Sequence, residues 1–250
     1  MARATGEILI TLETGRGDPP GLIELARTAS RAFPRIVGIV RREFDRRDRL
    51  AGVSILHGRD HLFEEVDGDR FKIPAGAFFQ PNVTAWSRLR AVVAEELAPG
   101  PDDTILELYC GVGFFTLPLA RRSGRIVALD SSREAVGAAR DNAARAGIAN
   151  ARFLCRDAQD ALPGLLAEDR FDAVLVDPPR TGLPPRAAAT MARAAAARLL
   201  YVSCDPATLA RDLRILVRDG RWRVKSIVPL DLFPQTHHVE CVARLDRGDD

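Results

Sequence analysis

The chain has 250 residues, 46% of them hydrophobic, and 36 basic against 34 acidic residues give it a net charge of +2. This length suits one large domain, alone or with a small appendage, and the nearly balanced charge does not indicate a nucleic-acid binder. No run of 18 apolar residues occurs and the N-terminus lacks the apolar core of a signal peptide, so we expect a cytoplasmic protein that does not enter a membrane.

Four cysteines, Cys110, Cys155, Cys204 and Cys241, are widely separated along the chain. Their spacing matches no zinc or iron–sulfur motif, so we expect no metal and no iron–sulfur cluster. Disulfide bonds are not expected in a protein without an export signal. A single reactive thiol is the alternative to cysteines that only fill the core.

The N-terminal region combines strands with one helix. Its predicted elements are a strand over 7–13, a helix over 21–33, a strand over 35–42 and a hairpin over 62–73 that turns at Asp67-Gly68. The stretch RREFDRRDR (41–49) mixes five arginines with three acids, which favours an exposed strand end or loop. We interpret residues 1–75 as a small α+β subdomain.

From about residue 82 the pattern changes to helices alternating with short apolar runs. The predicted helices cover 82–98, 132–147, 158–168, 185–197 and 207–220, and the apolar runs cover 104–109, 125–130, 151–155, 171–177 and 198–203. This alternation predicts a doubly wound α/β domain over 76–250, with a mostly parallel sheet covered on both faces. Two last apolar runs, separated only by PQT, predict a closing hairpin and an antiparallel edge.

A glycine-rich turn follows the first apolar run of this region, in ELYCGVGFFTLPLA (107–120). Gly111 and Gly113 allow a tight turn and a close approach of the backbone to a ligand at the start of a helix. Asp130 ends the next apolar run, 17 residues past Gly113, where a carboxylate can accept both ribose hydroxyls. This spacing favours nucleoside binding over a plain strand–helix turn, and the lack of a following GK[ST] disfavours a triphosphate site.

A second motif, VDPPRTGL (176–183), places Asp177 at the end of a buried strand, before two prolines. Prolines suit a rigid loop, and the carboxyl end of a parallel sheet is where such folds bind ligands. The alternative is an aspartate that caps a helix or a turn.

The stretch VSCDPATLARDL (202–213) places Cys204 between an apolar run and a predicted helix start at Asp205-Pro206. A helix dipole would lower the pKa of this thiol, but a small buried core residue explains the position equally well. Further along, Glu240 alternates with apolar Val239 and is either a surface acid or a general base. The adjacent His237 and His238 are expected on opposite faces of a strand, where they cannot share a metal.

Five motifs in order, FFQPN, LELYCGVGFFTLPLA, VDPPRTGL, SCDPATLARDL and FPQTHHVE, resemble the RNA uracil-5-methyltransferases. The resemblance covers about residues 74–245 and, more loosely, 1–73. It implies a Rossmann-like, class I methyltransferase domain that uses S-adenosyl-L-methionine to make 5-methyluridine in tRNA or 23S rRNA, and we expect a monomer. The target base must be unstacked, so base flipping is expected.

The resemblance also implies roles for individual residues. Cys204 would add to C6 of uracil, Glu240 would remove the C5 proton, and Asp177 would lie near both the cofactor and the target base. Gln80 would hold the methionine part of the cofactor. Further cofactor contacts would come from the glycine turn and from three side chains, Tyr109, Asp130 and Asp157.

The chain departs from the family pattern at three positions, with Phe114 for a common Asn, Asp130 for Glu and Asp205 for Asn. A carboxylate at Asp205 would tend to raise the pKa of the neighbouring thiol, against the helix dipole. The OB-like domain and the cysteine cluster of many relatives do not occur in these 250 residues. Two alternatives are an amino methyltransferase, which Arg180 in place of an aromatic residue disfavours, and a non-catalytic RNA- or cofactor-binding relative.

Overall fold

The computed structural model describes residues 1–248, and the chain forms two compact units, the first covering Met1–Phe78 and the second beginning at Phe79. The division falls within 74–82, the stretch that separates the two predicted regions. We describe each unit by itself.

The first unit contains one helix, a three-stranded sheet of order β1-β2-β3 and a separate hairpin. Its elements are β1 (Ile8–Gly15), α1 (Leu22–Ala32), β2 (Ile36–Phe44), β3 (Leu50–Gly58), β4 (His61–Val66) and β5 (Asp69–Pro74). The hairpin turn at Asp67-Gly68 is confirmed, with positive φ of 51° and 84° at these two residues. Such φ values match a type I′ turn, which Asp-Gly favours.

Strand β3 is absent from the sequence prediction. It is mostly exposed on both faces, so its sequence LAGVSILHG lacks the alternation of a half-buried strand. Its pairing with β2 nevertheless bonds one edge of its backbone, and the predicted exposed segment 41–49 becomes the end of β2 and the turn into β3.

The second unit is built on a seven-stranded sheet of order β11-β12-β10-β9-β6-β7-β8. Its strands are β6 (Thr104–Leu108), β7 (Arg125–Asp130), β8 (Ala151–Cys155), β9 (Ala173–Val176), β10 (Arg198–Ser203), β11 (Trp222–Leu230) and β12 (Glu240–Arg247). Its helices are α2 (Trp86–Leu97), α3 (Thr116–Ala120), α4 (Arg133–Arg145), α5 (Ala158–Glu168), α6 (Pro185–Met191) and α7 (Pro206–Val217).

Helices cover both faces of this sheet, which confirms the doubly wound α/β prediction. Along β7, Val127 and Leu129 belong to the core formed with α5, α6 and α7, whereas Ala128 between them packs against α4. Because successive strand residues point to opposite faces, the strand is buried on both sides.

The closing hairpin differs from its prediction in loop length and position. The loop between β11 and β12 covers residues 231–239 instead of the three residues PQT. Strand β12 runs antiparallel to both neighbours and lies between β11 and β10, so the reversed strand is not at the edge of the sheet.

Two helix boundaries also differ from the sequence prediction. Helix α2 begins at Trp86 after a 3₁₀ turn at Val83–Ala85, and α6 ends at Met191 instead of 197. The backbone N–H groups of Ala197 and Arg198 both bind the carbonyl of Asp172, so tertiary bonding overrides the helix propensity of the alanine-rich stretch. Between residues 1 and 248, no helix is both long and apolar enough to cross a membrane.

Candidate active site

The strand order reverses between β6 and β9, because the chain continues from β6 to one side of the sheet and from β9 to the other. In open α/β sheets, ligands bind outside the carboxyl ends of the strands at such a switch point. The loops after β6, β7, β8, β9 and β10, and the start of the reversed β12, meet at this edge. All the predicted site residues after Gln80 lie in these segments or directly beside them.

The loop after β6 has the tight turn that its glycines predict. Gly111 and Gly113 have φ of 53° and 90°. A Cβ added at Gly111 would meet no atom of the described chain within 4 Å, whereas one at Gly113 would lie 3.1 Å from Leu117 Cδ1. The buried Asn142 on α4 donates from Nδ2 to the carbonyl of Val112 at 3.0 Å. The loop is therefore held by α4 at Val112 and is open to a ligand at Gly111.

Asp130 ties the loops after β6 and β7 together. Its Oδ2 accepts from the N–H of Gly111 at 3.0 Å, and its Oδ1 accepts from the N–H of Ser132 at 2.8 Å. Each carboxylate oxygen has a further lone pair, so hydroxyl groups of a ligand can still bind there.

Tyr109 lies among carboxylates at the same edge and has a positive φ of 64°. Burial, with contributions from Asp157 and Asp130, raises the pKa of Tyr109 to about 12. Asp157 is the N-cap of α5 and accepts from the N–H of Gln159 at 2.8 Å. Both predicted residues therefore occupy the loop region that also holds Asp130.

Gln80 is buried, and its backbone carbonyl accepts from Nε1 of Trp86 at 2.8 Å. Among the residues that the structure describes, Oε1 of Gln80 and Oε1 of Glu107 are buried without a hydrogen-bond partner. The other oxygen of Glu107 accepts from the Thr116 hydroxyl at 2.6 Å, and burial raises the pKa of Glu107 to about 8. Sequence reasoning missed Glu107, although an acid inside the apolar run TILELY is a visible signal.

Phe114, which stands where relatives commonly have Asn, is buried in an aromatic cluster. Its ring lies 5.4 Å from Phe79 and 4.9 Å from Phe115, both edge-to-face, and the Arg90 guanidinium lies 5.7 Å from its centroid. Phe79 also packs edge-to-face on Trp86 at 5.0 Å. The cluster packs against the segment that carries Gln80 and holds it in place.

Strand register brings Cys204, Glu240 and Asp177 together. Ser203 pairs with Cys241 in the antiparallel β10–β12 ladder, so the next step places Cys204 opposite Glu240. Tyr201 pairs with Val176 in the parallel β10–β9 ladder, so Asp177 follows on the other side of β10.

Burial dominates the electrostatics of these groups. Glu240 is only 2% exposed, which excludes the surface-acid interpretation, and burial raises its pKa to about 7. Burial, followed by the charges of Glu240 and Glu107, raises the pKa of Asp177 well above its usual range. Asp177 follows β9 well before α6 begins, so it does not cap a helix.

Cys204 is half-buried directly before the N-cap of α7, and the predicted cap is confirmed. Asp205 Oδ1 accepts from the N–H groups of Ala207 and Thr208 at 2.9 and 3.0 Å. The net shift of the thiol pKa is upward, because burial and then the charge of Glu240 raise the pKa of Cys204. The Asp205 carboxylate is directed into the helix start instead.

Arg180 acts in the opposite direction on this thiol. Its positive charge lies near the Cys204 sulfur and lowers the pKa of Cys204, against the larger effects of burial and of Glu240. Sequence reasoning used Arg180 only to disfavour amino methylation. The contact joins two loops 24 positions apart (180 to 204), which no local pattern reveals.

His237 and His238 lie in the loop before β12, so the expected placement on opposite faces of a strand is wrong. Their rings lie 4.1 Å apart, and the charge of His238 adds to the backbone hydrogen bonds from Thr208 and Ala207 that lower the pKa of Asp205. Within residues 1–248, no group of three or more His, Cys, Asp or Glu side chains could hold a metal ion.

The strand order with one reversed strand, the glycine loop after β6 and the acid after β7 define the class I methyltransferase fold. Trm5b from Pyrococcus abyssi, 13% identical, matches this fold with a TM-score of 0.61 over 96% of this chain and 73% of its own. The family model for tRNA (uracil-5-)-methyltransferase matches residues 49–248. The chain belongs to this family.

Individual relatives agree with this assignment. Uncharacterized RNA methyltransferases of Gloeobacter violaceus and Thermosynechococcus vestitus are 39% and 37% identical over 99% and 98% of this chain. The tRNA (uracil-54, C5)-methyltransferase of Pyrococcus abyssi, solved with S-adenosyl-L-homocysteine, is 30% identical with a TM-score of 0.74 over 98% of this chain. The chain spans 54%, 55% and 57% of these three proteins, about half their length.

Proposed function

We propose that the chain transfers a methyl group from S-adenosyl-L-methionine to C5 of a uridine in tRNA or rRNA, through a covalent bond between Cys204 and C6. The observation that carries the proposal is the register of β10 with β12. It places a half-buried thiol opposite a buried glutamate, beside Asp177 and at the edge that carries the glycine loop.

The residues at this edge fit S-adenosyl-L-methionine. Two buried acceptors without a partner in the described chain, Oε1 of Gln80 and Oε1 of Glu107, suit the ammonium group of its methionine part. Asp130 keeps acceptor capacity for the ribose hydroxyls, and the open face at Gly111 allows a close approach. When bound, the cofactor supplies an electrophilic methyl group.

In the proposed reaction, the Cys204 thiolate adds to C6 of uracil and makes C5 nucleophilic toward that methyl group. Glu240 then accepts the C5 proton, and elimination re-forms the C5–C6 double bond and releases the Cys204 thiolate. A carboxylate whose pKa is about 7 is well matched to a general base at neutral pH. Asp177, whose raised pKa favours the protonated form, can donate a hydrogen bond to a uracil carbonyl.

The test uses Glu240→Gln with bulk tRNA, bulk rRNA and methyl-labelled S-adenosyl-L-methionine. Removal of the base blocks elimination, so we expect a methylated RNA adduct at Cys204 that survives denaturation. The double variant with Cys204→Ala should give no adduct. Labelling of RNA by Cys204→Ala alone would instead indicate amino methylation, and cofactor binding without turnover on either RNA would indicate a non-catalytic relative.

The monomeric state and cytoplasmic location remain predictions. Mass spectrometry of tRNA and rRNA from a deletion strain would identify the substrate, since one 5-methyluridine should disappear from one position.

A further inference from the structure

The loop after β9 is held almost entirely by one helix. Three side chains on one face of α7, spaced i, i+3 and i+4, bind the segment Arg180–Leu183. They are Thr208, Arg211 and Asp212. Because α7 begins directly after Cys204, the same helix carries the thiol and holds the loop.

The contacts cover successive residues of the loop. The Thr208 hydroxyl lies 3.1 Å from the carbonyls of both Arg180 and Asp205 and shares its one proton between them, and Arg211 Nη2 donates to the carbonyl of Thr181 at 2.8 Å. Oδ2 of Asp212 accepts from the N–H of Leu183 at 2.7 Å.

Asp212 is fully buried and is itself fixed. Its Oδ2 also accepts from the Tyr201 hydroxyl at 2.6 Å, and its Oδ1 accepts from Arg211 Nε at 2.9 Å. Gly182 has a φ of 76°, and a Cβ there would collide with Asp212 and Arg211. The loop therefore passes so close to α7 that only glycine fits.

We propose that Thr208, Arg211 and Asp212 form a clamp that positions Arg180 against the Cys204 sulfur. They act through Arg180 and are positioning residues. The clamp keeps a cation beside a thiol that burial, Glu240 and Asp177 would otherwise hold protonated. The role of the Cys204 thiol as a nucleophile rests on the proposed function. The contacts of the clamp do not, since they exist without RNA or cofactor.

The experiment measures the pH dependence of iodoacetamide alkylation of Cys204 in the complete chain, followed by peptide mass spectrometry. A Cys155→Ser background removes the exposed cysteine, and the other two cysteines are buried. Only the thiolate reacts, so the midpoint of the pH profile reports the thiol, and a general loss of stability does not shift it upward.

We expect Arg180→Ala to slow alkylation at pH 7 by roughly 3- to 10-fold and to move the midpoint to higher pH. Thr208→Val and Asp212→Ala should reproduce at least half of that decrease, whereas Thr208→Ser should stay near the parent. Thr190→Val is the matched control, because the Thr190 hydroxyl also binds an arginine carbonyl, that of Arg186 at 2.9 Å, but this bond lies within α6 and does not touch the segment Arg180–Leu183.

An unchanged profile for Arg180→Ala would overturn the proposal at its first step. A slowed Arg180→Ala combined with a parental Thr208→Val would show that the loop holds Arg180 without the clamp. If Asp212→Ala fails to fold, Thr208→Val decides alone. If the variants shift the pH profile but the parent protein does not methylate RNA, the clamp is supported and the proposed function is refuted. If the parent protein methylates RNA but the variants do not shift the profile, the proposed function is supported and the clamp is refuted.

Discussion

The environment of the carboxylates differs between two halves of the seven-stranded sheet, one formed by β6, β7 and β8 and the other by β9, β10 and β12. On the side of β6, β7 and β8, Asp130 binds two backbone N–H groups and Asp157 binds one. On the side of β9, β10 and β12, burial raises the pKa of both Asp177 and Glu240. Carboxylates held by backbone groups are fixed in orientation and can bind hydroxyls, whereas desolvated ones are suited to exchange protons.

The two halves of this edge of the sheet therefore suit different proposed roles. The half at β7 resembles a preorganised binding surface. The half at β10 resembles a reaction centre in which buried carboxylates are kept at a cost in stability. Three substitutions test the division, and each should affect one half of the edge while leaving the other intact; a fourth, Asp205→Asn, should change little.

The largest expected effect is that of Cys204→Ser. We expect methyl transfer to RNA to fall by at least about 1,000-fold, because a hydroxyl does not replace the thiolate in addition to C6. The dissociation constant for S-adenosyl-L-methionine, measured by isothermal titration, should stay within about twofold. Cys155→Ser, at the end of β8, is the control and should retain activity. An active Cys204→Ser protein would end the assignment of the reaction centre.

Glu240 should make stability depend on pH. Its pKa rises from 4.5 to about 7 in the folded chain, so the native state binds more protons than the unfolded state between these values. Glu240 should therefore lower the unfolding free energy by about 3 kcal/mol as the pH increases through this window, in addition to falls of the same sign from Glu107 and Asp177, whose pKa values are also raised. Urea denaturation at pH 5 and pH 8 should show that the fall is smaller by this amount in Glu240→Gln. An equal slope in both proteins would contradict the raised pKa.

Asp130→Asn should affect binding and not chemistry. One of its two backbone acceptors becomes an amide donor, which weakens the loop and the ribose contact together. We expect the affinity for S-adenosyl-L-methionine to fall by roughly 10- to 100-fold, while kcat at saturating cofactor changes by less than about threefold. A loss confined to kcat would mean that the division between the two sides is wrong.

The smallest effect belongs to Asp205→Asn. Asn caps helices about as well as Asp, and the Asp205 carboxylate faces the N–H groups of Ala207 and Thr208. The alkylation rate of Cys204 at pH 7 should change by less than about twofold. A tenfold increase would show that Asp205 opposes the thiolate, as the sequence alone suggested.

The sequence predicts most of the second unit because its strands are buried on both faces and its helices begin at recognisable caps, such as Asp157 and Asp205. The order of β12 and β11 was not predictable, since a hairpin pattern does not tell which strand joins the sheet. Strand β3 was not predicted, because both of its faces are exposed and its sequence does not alternate. Sequence motifs located Cys204, Asp177 and Glu240 individually, but their proximity depends on the strand register. The places of Glu107 and Arg180 in the site depend on neighbours that are distant in the chain.

The place of β12 after every other strand in the chain also orders events during synthesis. Every other strand of the sheet brings its last residue to the reactive edge, but β12 brings its first, and Glu240 is the final site residue to leave the ribosome. The proposed cofactor loop and nucleophile are therefore synthesised before the proposed base. The proposed reaction centre is complete only once β12 pairs with β10, a contact between distant parts of the chain.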